Sequence, residues 1–495
     1  MMTKISASTL LLLLTQITYG SESPRPNIVL ILTDDEDVML GGEAPLTNTK
    51  QWLKEGGATL SNYFVTTPVC CPSRTTLLSG QFDHNLDDEM LGWCGDFVDS
   101  GKTNETFAVA LHDSGYRTGL FGKYLNGDCG GPSYGSTDFY IPNGWSSWFA
   151  MCNDNTYFDM HWNDNGVSNK TGDYYDDDGV AYPERYSTSL IGNRSLAFIE
   201  QSLTEQEQQK EAGDEVAPFF VYIAPHAAHV PATPAPWYQD ELPNVTAYVT
   251  PNYDVAPEGH HWLVSTKTTP LNEGLKEYSD LLARMRQLTL LSVDDIVVEI
   301  RDLLTERSAL DNTYVIYTSD HGYNLGQFRL TSGKYNTYEH DIRAPFFVTG
   351  PGIVPNSTIT QIGANVDISQ TILDLAGAGG VESIGGVEDV EGVEGASAVG
   401  ATATATATRP ACILHAGAGY HHRSDRGPST GEPPALPTAA AAALLHRSPL
   451  ALSLADPRRS ASSASTPRAA VIVSRTISTF SNASTNALFR RSARS

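Results

Sequence analysis

From Asn27 to Thr33 the chain reads Asn-Ile-Val-Leu-Ile-Leu-Thr, an apolar run without alternation. A strand with one wet face alternates polar and apolar residues, so an unbroken run predicts a parallel strand covered on both faces. Similar runs occupy residues 219–223, 314–317 and 345–348. Between them, helical patterns fall at Phe107–Asp113, at 189–201 and near 277–306. Strands alternating with helices predict an α/β fold, with a large, mostly parallel sheet flanked by helices.

The polar residues that end these runs carry information of their own. The first run stops at Asp34-Asp35, the 219–223 run leads into His226 and His229, and the 314–317 run leads into Asp320-His321. Open α/β sheets collect ligands at the carboxyl ends of their strands. Three polar clusters at three such ends therefore predict one convergent site.

Globular texture spans about residues 24–377. Beyond it, Gly-Val-Glu repeats pass into Ala-Thr alternation and then Ala/Pro/Ser/Arg-rich sequence, so 378–495 reads as a disordered tail. All 7 Trp lie at or before Trp262, and the last Lys is Lys334, which leaves the tail poor in core-building side chains. At the other end, Lys4, the apolar Leu10 to Leu14 and the small-residue region Thr18-Tyr19-Gly20 mark residues 1–20 as a signal peptide. Its apolar core is too short for a bilayer, and no later run reaches about 20 residues, so no transmembrane anchor is expected. Export, to the outside or to the lysosome by way of the endoplasmic reticulum, fits sequons at Asn104, Asn169, Asn193, Asn244, Asn356 and Asn482.

Charge narrows the ligand. The formal net charge of −25 over 495 residues argues against nucleic acid, which needs clustered Lys and Arg. An anionic substrate can be held only by a few cations gathered in one pocket.

Cysteines occur at 70, 71, 94, 129, 152 and 412, too few for a disulfide scaffold and spaced unlike a zinc site. Cys94, Cys129 and Cys152 are expected to include a structural disulfide, with the pairing open. Around the first pair the sequence is Cys70-Cys71-Pro72-Ser73-Arg74-Thr75-Thr76-Leu77-Leu78-Ser79-Gly80. Pro72 in a first turn, followed by Leu77-Leu78, predicts a helix starting here. Cys70 then sits at a helix N-terminus, where free amides and the dipole favour an anion or a low-pKa thiol.

That stretch matches the sulfatase signature Cys-x-Pro-Ser-Arg-x-x-Leu-Leu-Ser-Gly without a mismatch. The chain also resembles sulfatases at Pro26 to Asp35, at Gly122-Lys123-Tyr124, at Thr318-Ser-Asp-His-Gly322 and at Lys334 with Glu339. Gly41-Gly42, Cys70-Cys71, Gly122-Lys-Tyr-Leu-Asn126 and Leu291-Ser-Val-Asp-Asp295 are most similar to N-acetylglucosamine-6-sulfatases and the related extracellular endosulfatases. The resemblance covers about residues 26–377. It implies an alkaline phosphatase-like fold and a sulfuric ester hydrolase acting on a sulfated sugar or glycosaminoglycan, such as one bearing N-acetylglucosamine 6-sulfate. The small carboxyl-terminal domain usual in the family has no counterpart after about residue 378.

The same resemblance assigns roles. Cys70 would be oxidised to formylglycine by a formylglycine-generating enzyme, with Cys71 in the variable position. Asp34, Asp35, Asp320, His321 and the oxygen formed at position 70 would bind Ca²⁺, which prefers hard oxygen donors. His321 stands where many relatives carry Asn. Arg74 would hold the formylglycine hydrate, and Lys123 and Lys334 would grip the sulfate. Asn126 and His226 would line the substrate pocket, Asn126 in place of the histidine of a common Gly-Lys-x-His pattern. His229, within Ala228-His229-Val230-Pro231, would protonate the leaving sugar oxygen while a hydrate hydroxyl attacks sulfur. A catalytically silent binder of sulfated glycans is the alternative from another class. A phosphatase or phosphodiesterase of the same superfamily is the enzymatic rival, disfavoured because those enzymes place Ser or Thr where Cys70 stands.

Overall fold

A computed structural model describes residues 24–378 apart from 87–93, 127–138, 153–155, 178, 257, 260–264 and 266–268. The expected leader and tail, Cys129, Cys412 and Asn482 lie outside these residues.

Ten strands form one sheet: β1 (Asn27–Thr33), β2 (Ala58–Phe64), β3 (Arg117–Gly122), β4 (Ser147–Met151), β5 (His161–Asp164), β6 (Val167–Lys170), β7 (Phe219–Ala224), β8 (Thr313–Ser319), β9 (Phe346–Thr349) and β10 (Ser357–Ala364). Their order is β10-β2-β9-β8-β1-β7-β3-β4-β5-β6. The central block β8-β1-β7-β3-β4 is parallel throughout, and only β9 and β5 run against the rest. The 345–348 run is therefore a strand, but an antiparallel one between β8 and β2. Unbroken hydrophobicity reports burial on both faces and carries no direction.

The longer helices among the described residues flank the sheet: α1 (Cys70–Ser79), α2 (Phe107–Asp113), α3 (Ser187–Ala212), α4 (Glu273–Glu306) and α5 (Asp367–Ala376). Successive β1 side chains point to opposite faces, as strand geometry demands. Ile28, Leu30 and Leu32 pack with Leu77 of α1, Phe107 of α2 and Ile372 of α5, whereas Val29 and Ile31 pack with Ile191 of α3 and Val293 of α4. Each fully buried side chain of this kind contributes about 1.5–3 kcal/mol over leaving it in water.

Two helices outrun their sequence signals. α4 starts at Glu273 because the Asn272 side chain accepts the Leu275 N–H at 2.9 Å, closing the first turn. α3 continues to a left-handed Gly213 cap through 202–212, where Gln, Glu and Lys favour helix without marking an apolar face.

Candidate active site

The parallel strands β1, β3, β7 and β8 deliver their following residues to one end of the sheet. Hydrogen bonds tie those ends together. Asp34 donates its N–H to the Ala227 carbonyl at 2.8 Å and accepts from the Ala228 N–H at 2.6 Å, while the Asp320 N–H donates to the Thr33 carbonyl at 3.1 Å. At the end of β3, Gly122 takes φ +113°, and a Cβ there would meet the Ala224 carbonyl oxygen at 2.1 Å. Only glycine allows that approach, which brings Lys123 beside the β7 loop.

α1 begins at Cys70, as its sequence predicts, and Val69 before it is extended. The helix supplies two further anchors. Ser73 donates its hydroxyl to the Asp320 carbonyl. Arg74 donates Nε to Asp320 Oδ2 at 2.9 Å and Nη1 to the Lys123 carbonyl at 2.7 Å, and its Nη2 lies 3.7 Å from Asp34 Oδ2.

Around the Cys70 thiol, three carboxylates and three permanent cations interlock. Lys123 Nζ donates to Asp34 Oδ2 at 2.6 Å, and Lys334 Nζ reaches Asp35 Oδ1 at 2.6 Å and Cys70 Sγ at 2.9 Å. Asp34 Oδ1 lies 3.5 Å from Sγ. The Asp35 N–H donates to Asp320 Oδ1 at 3.0 Å. His321 Nε2 stands 3.4 Å from Asp35 Oδ1 and 3.5 Å from Asp320 Oδ1. His226 Nδ1 is 3.5 Å from Asp34 Oδ2, and its ring lies 4.7 Å, centre to centre, from that of His229.

These charges set one another's protonation. Burial pushes the Cys70 thiol up, as does Asp34, yet Lys123, Lys334 and a hydrogen bond with His229 hold it well below its ordinary value. Burial likewise raises Asp34 and Asp35, but nearby cations reverse the effect, leaving Asp34 well below normal and Asp35 at about 2. Asp320 goes the other way, because burial and Asp34 outweigh Arg74 and His321. Burial pulls both site histidines at 229 and 321 down, and carboxylates overcome it. Asp35 and Asp34 raise His229, and Asp320 takes the lead in raising His321 to about 9. Burial dominates at His226, which falls to about 4.

The donor set suits a hard cation. Ligand atoms of Asp34, Cys70, Asp320 and His321 lie within 4.8 Å of one another, as do those of Asp34, Asp35, Cys70 and His229. Asp35 Oδ2 and His321 Nε2 are buried without a hydrogen-bond partner, so the carboxylate oxygen, and the ring nitrogen once it loses its proton, have lone pairs to offer a cation. Two of the four donors in each set are carboxylate oxygens, the kind Ca²⁺ prefers, and the others are the Cys70 sulfur and a ring nitrogen.

The site thus gathers Asp34, Asp35, Cys70, Arg74, Lys123, His226, His229, Asp320, His321 and Lys334. Asn126 is half-buried three residues beyond Lys123. Among the sequons, Asn104, Asn193, Asn244 and Asn356 are exposed and Asn169 is half-buried. Cys71 pairs with Cys94, with Cα atoms 5.6 Å apart, so one expected disulfide cysteine is bonded to the neighbour of Cys70. Cys152 is also disulfide-bonded, and Cys70 is the free cysteine among the described residues. Sequence reasoning missed Tyr157, whose hydroxyl donates to the His226 and His229 carbonyls at 3.2 and 2.8 Å. It also missed Asn365, which donates to the Ser73 carbonyl at 3.1 Å and hydroxyl at 3.0 Å. Neither stands in a motif or at the end of an apolar run.

The Sulfatase family model matches residues 26–378. The chain belongs to the sulfatase family. Human N-acetylglucosamine-6-sulfatase is 38% identical to this sulfatase over 358 residues, covering 71% of this chain and 61% of that protein. An extracellular sulfatase SULF-1 homolog from Drosophila melanogaster is 39% identical over 358 residues, covering 71% of this chain and 30% of that protein. The chain therefore spans about three fifths or less of these relatives' lengths. A protein solved in complex with its substrate D-glucosamine-2-N,6-O-disulfate shares the fold, with a TM-score of 0.54 at 21% identity, covering 73% of this chain and 78% of that one. No helix among the described residues is long and apolar enough to cross a membrane.

Proposed function

We propose that this sulfatase hydrolyses sulfate esters of a sugar or glycosaminoglycan, with 6-O-sulfated glucosamine as the first substrate to test. The observation that carries the reading is the position of Cys70, which touches Asp34 and Lys334 inside a buried set of matched acids and bases. A sulfate ester is an anion, and a nucleophile can approach it only where fixed cations neutralise its oxygens. Lys123 and Lys334 supply that charge, and Arg74 keeps the Asp320 carboxylate and the Lys123 backbone in place.

Oxidised to formylglycine during export, by a formylglycine-generating enzyme, residue 70 would supply a hydrated aldehyde whose hydroxyl attacks sulfur. Calcium, held by Asp34, Asp35, Asp320, His321 and an oxygen at position 70, would supply further positive charge against the sulfate. His229 carries the proton for the leaving sugar oxygen. It is partly exposed, borders Cys70 and is raised by its carboxylate neighbours, all as a general acid requires. His226 is deeply buried and lowered, which suits a pocket wall better than a proton donor. Asn126 extends that wall. Secretion or delivery to the lysosome, with glycans at Asn104, Asn169, Asn193, Asn244 and Asn356, completes the reading.

The test is sulfate release from a panel of sulfated sugars by protein exported from a eukaryotic cell. Release from glucosamine 6-sulfate that disappears in Cys70→Ala supports the proposal. Release that survives Cys70→Ala refutes the nucleophile.

A further inference from the structure

Arg286 has no role in the chemistry above, yet it touches three of the loops that carry it. The residue lies on α4 with its side chain 4% exposed. Its Nη2 donates to the Asp35 carbonyl at 2.6 Å and to Asp37 Oδ1 at 3.0 Å, and its Nη1 lies 3.5 Å from the Ala228 carbonyl it donates to. Its guanidinium carbon sits 4.1 Å from the centre of the Tyr323 ring. These partners belong to the loops after β1, β7 and β8. Asp35 is itself in the carboxylate cluster, Ala228 precedes His229, and Tyr323 lies two residues past His321.

A buried guanidinium needs a counter-charge, and Asp37 supplies one. That pairing does not require Asp35 or Ala228. The Asp37 carboxylate is already fixed from its other oxygen, which accepts the Leu40 N–H at 2.6 Å and the Gly42 N–H at 3.3 Å. The bond to the Asp35 carbonyl has a different consequence. Asp35 adopts φ +64°, a backbone conformation uncommon for a residue with a side chain. Holding its carbonyl fixes that backbone, and with it the direction of the carboxylate. A guanidinium fork can grip several acceptors in fixed directions, whereas an ammonium is a single point charge.

We propose that Arg286 is a positioning residue that locks the Asp35 backbone and the 226–229 turn together, and so sets the affinity of the site for calcium. The inference rests on the calcium reading above.

The experiment is calorimetric titration of the chelator-treated full chain with calcium, alongside thermal unfolding. It compares wild type with Arg286→Lys, Arg286→Met and the double variant Arg286→Met/Asp37→Asn. Contacts of this kind around a metal site are typically worth about 10–100-fold in metal affinity. The expected result is a loss of that size in Arg286→Met, a smaller loss in Arg286→Lys, and no recovery in the double variant. Should Arg286→Met fail to fold, Arg286→Lys carries the comparison. Wild-type calcium affinity in folded variants with a lowered unfolding midpoint would make Arg286 purely structural and overturn the proposal. Recovery in the double variant would also overturn it, since the residue would then only neutralise Asp37. Wild-type protein that binds no calcium would remove the metal reading as well, a result separable from the other two.

Discussion

At Asp34 one carboxylate serves several partners. Its Oδ2 receives Lys123 at 2.6 Å, with His226 at 3.5 Å and Arg74 at 3.7 Å behind it. Such a buried pair need not be stabilising overall, but removing one member leaves a charge in a dry place at a cost of about 3–5 kcal/mol. Lys123→Met should therefore lose stability of that order in urea unfolding with chelator present, and lose sulfate release besides. An unfolding curve unchanged from wild type would show that Arg74 suffices for Asp34. His321 makes a second prediction. Its pKa of about 9 without metal keeps it protonated at neutral pH, and a protonated ring cannot ligate. Calcium binding at pH 7 should then release a proton, and affinity should rise with pH until about 9. Calorimetry in two buffers of different ionisation heat checks this. Binding that releases no proton would remove His321 from the ligand set. The signature around Cys70 and the acidic strand end at Asp34-Asp35 were legible in the sequence. Arg286 and Asn365 were not, because an isolated Arg in a helix or Asn after a strand shows its partners only once distant segments meet.

The elements explain why the site is assembled where it is. Four parallel strands end together, and α1 starts at the same edge with Cys70 at its first position. Apolar runs revealed β1, β7 and β8. They missed β3, a short strand with two glycines, of which Gly122 lets the chain pass close to β7 and Gly119 leaves room for the Phe121 and Phe198 rings. Gly122→Ala should consequently cost more than ~1 kcal/mol, since both the positive φ and the Ala224 carbonyl oppose a Cβ. Thermal unfolding measures the loss, and an unaffected midpoint would mean that β3 and β7 can part without consequence. The β7 loop carries the proposed acid. A general acid is typically worth about 10²–10⁴-fold, most where the leaving group is poor. His229→Gln should be slowed strongly on a sugar sulfate and little on an aryl sulfate whose phenol leaves easily. Equal slowing on both would assign His229 to positioning.

For the whole molecule, a net charge of −25 and the proposed anionic substrate are reconciled locally. Arg74, Lys123 and Lys334 are concentrated at one end of the sheet, against three carboxylates that a divalent ion can further neutralise. Stability should follow that ion. Free calcium at 100 times its dissociation constant adds about 2.7 kcal/mol if only the folded chain binds it. Chelation should lower the unfolding midpoint, and calcium but not sodium should restore it. The fold class was legible from alternating runs, since burial leaves a mark on composition. The order of the sheet and the reversed direction of β9 were not, because pairing partners leave no local mark. The claim on which all else depends is that Cys70 is converted before use. Peptide mass spectrometry of the exported, reduced protein tests it most directly. The account predicts formylglycine at position 70 in the fraction that releases sulfate, and an unmodified Cys70 in a fraction equally active would contradict it.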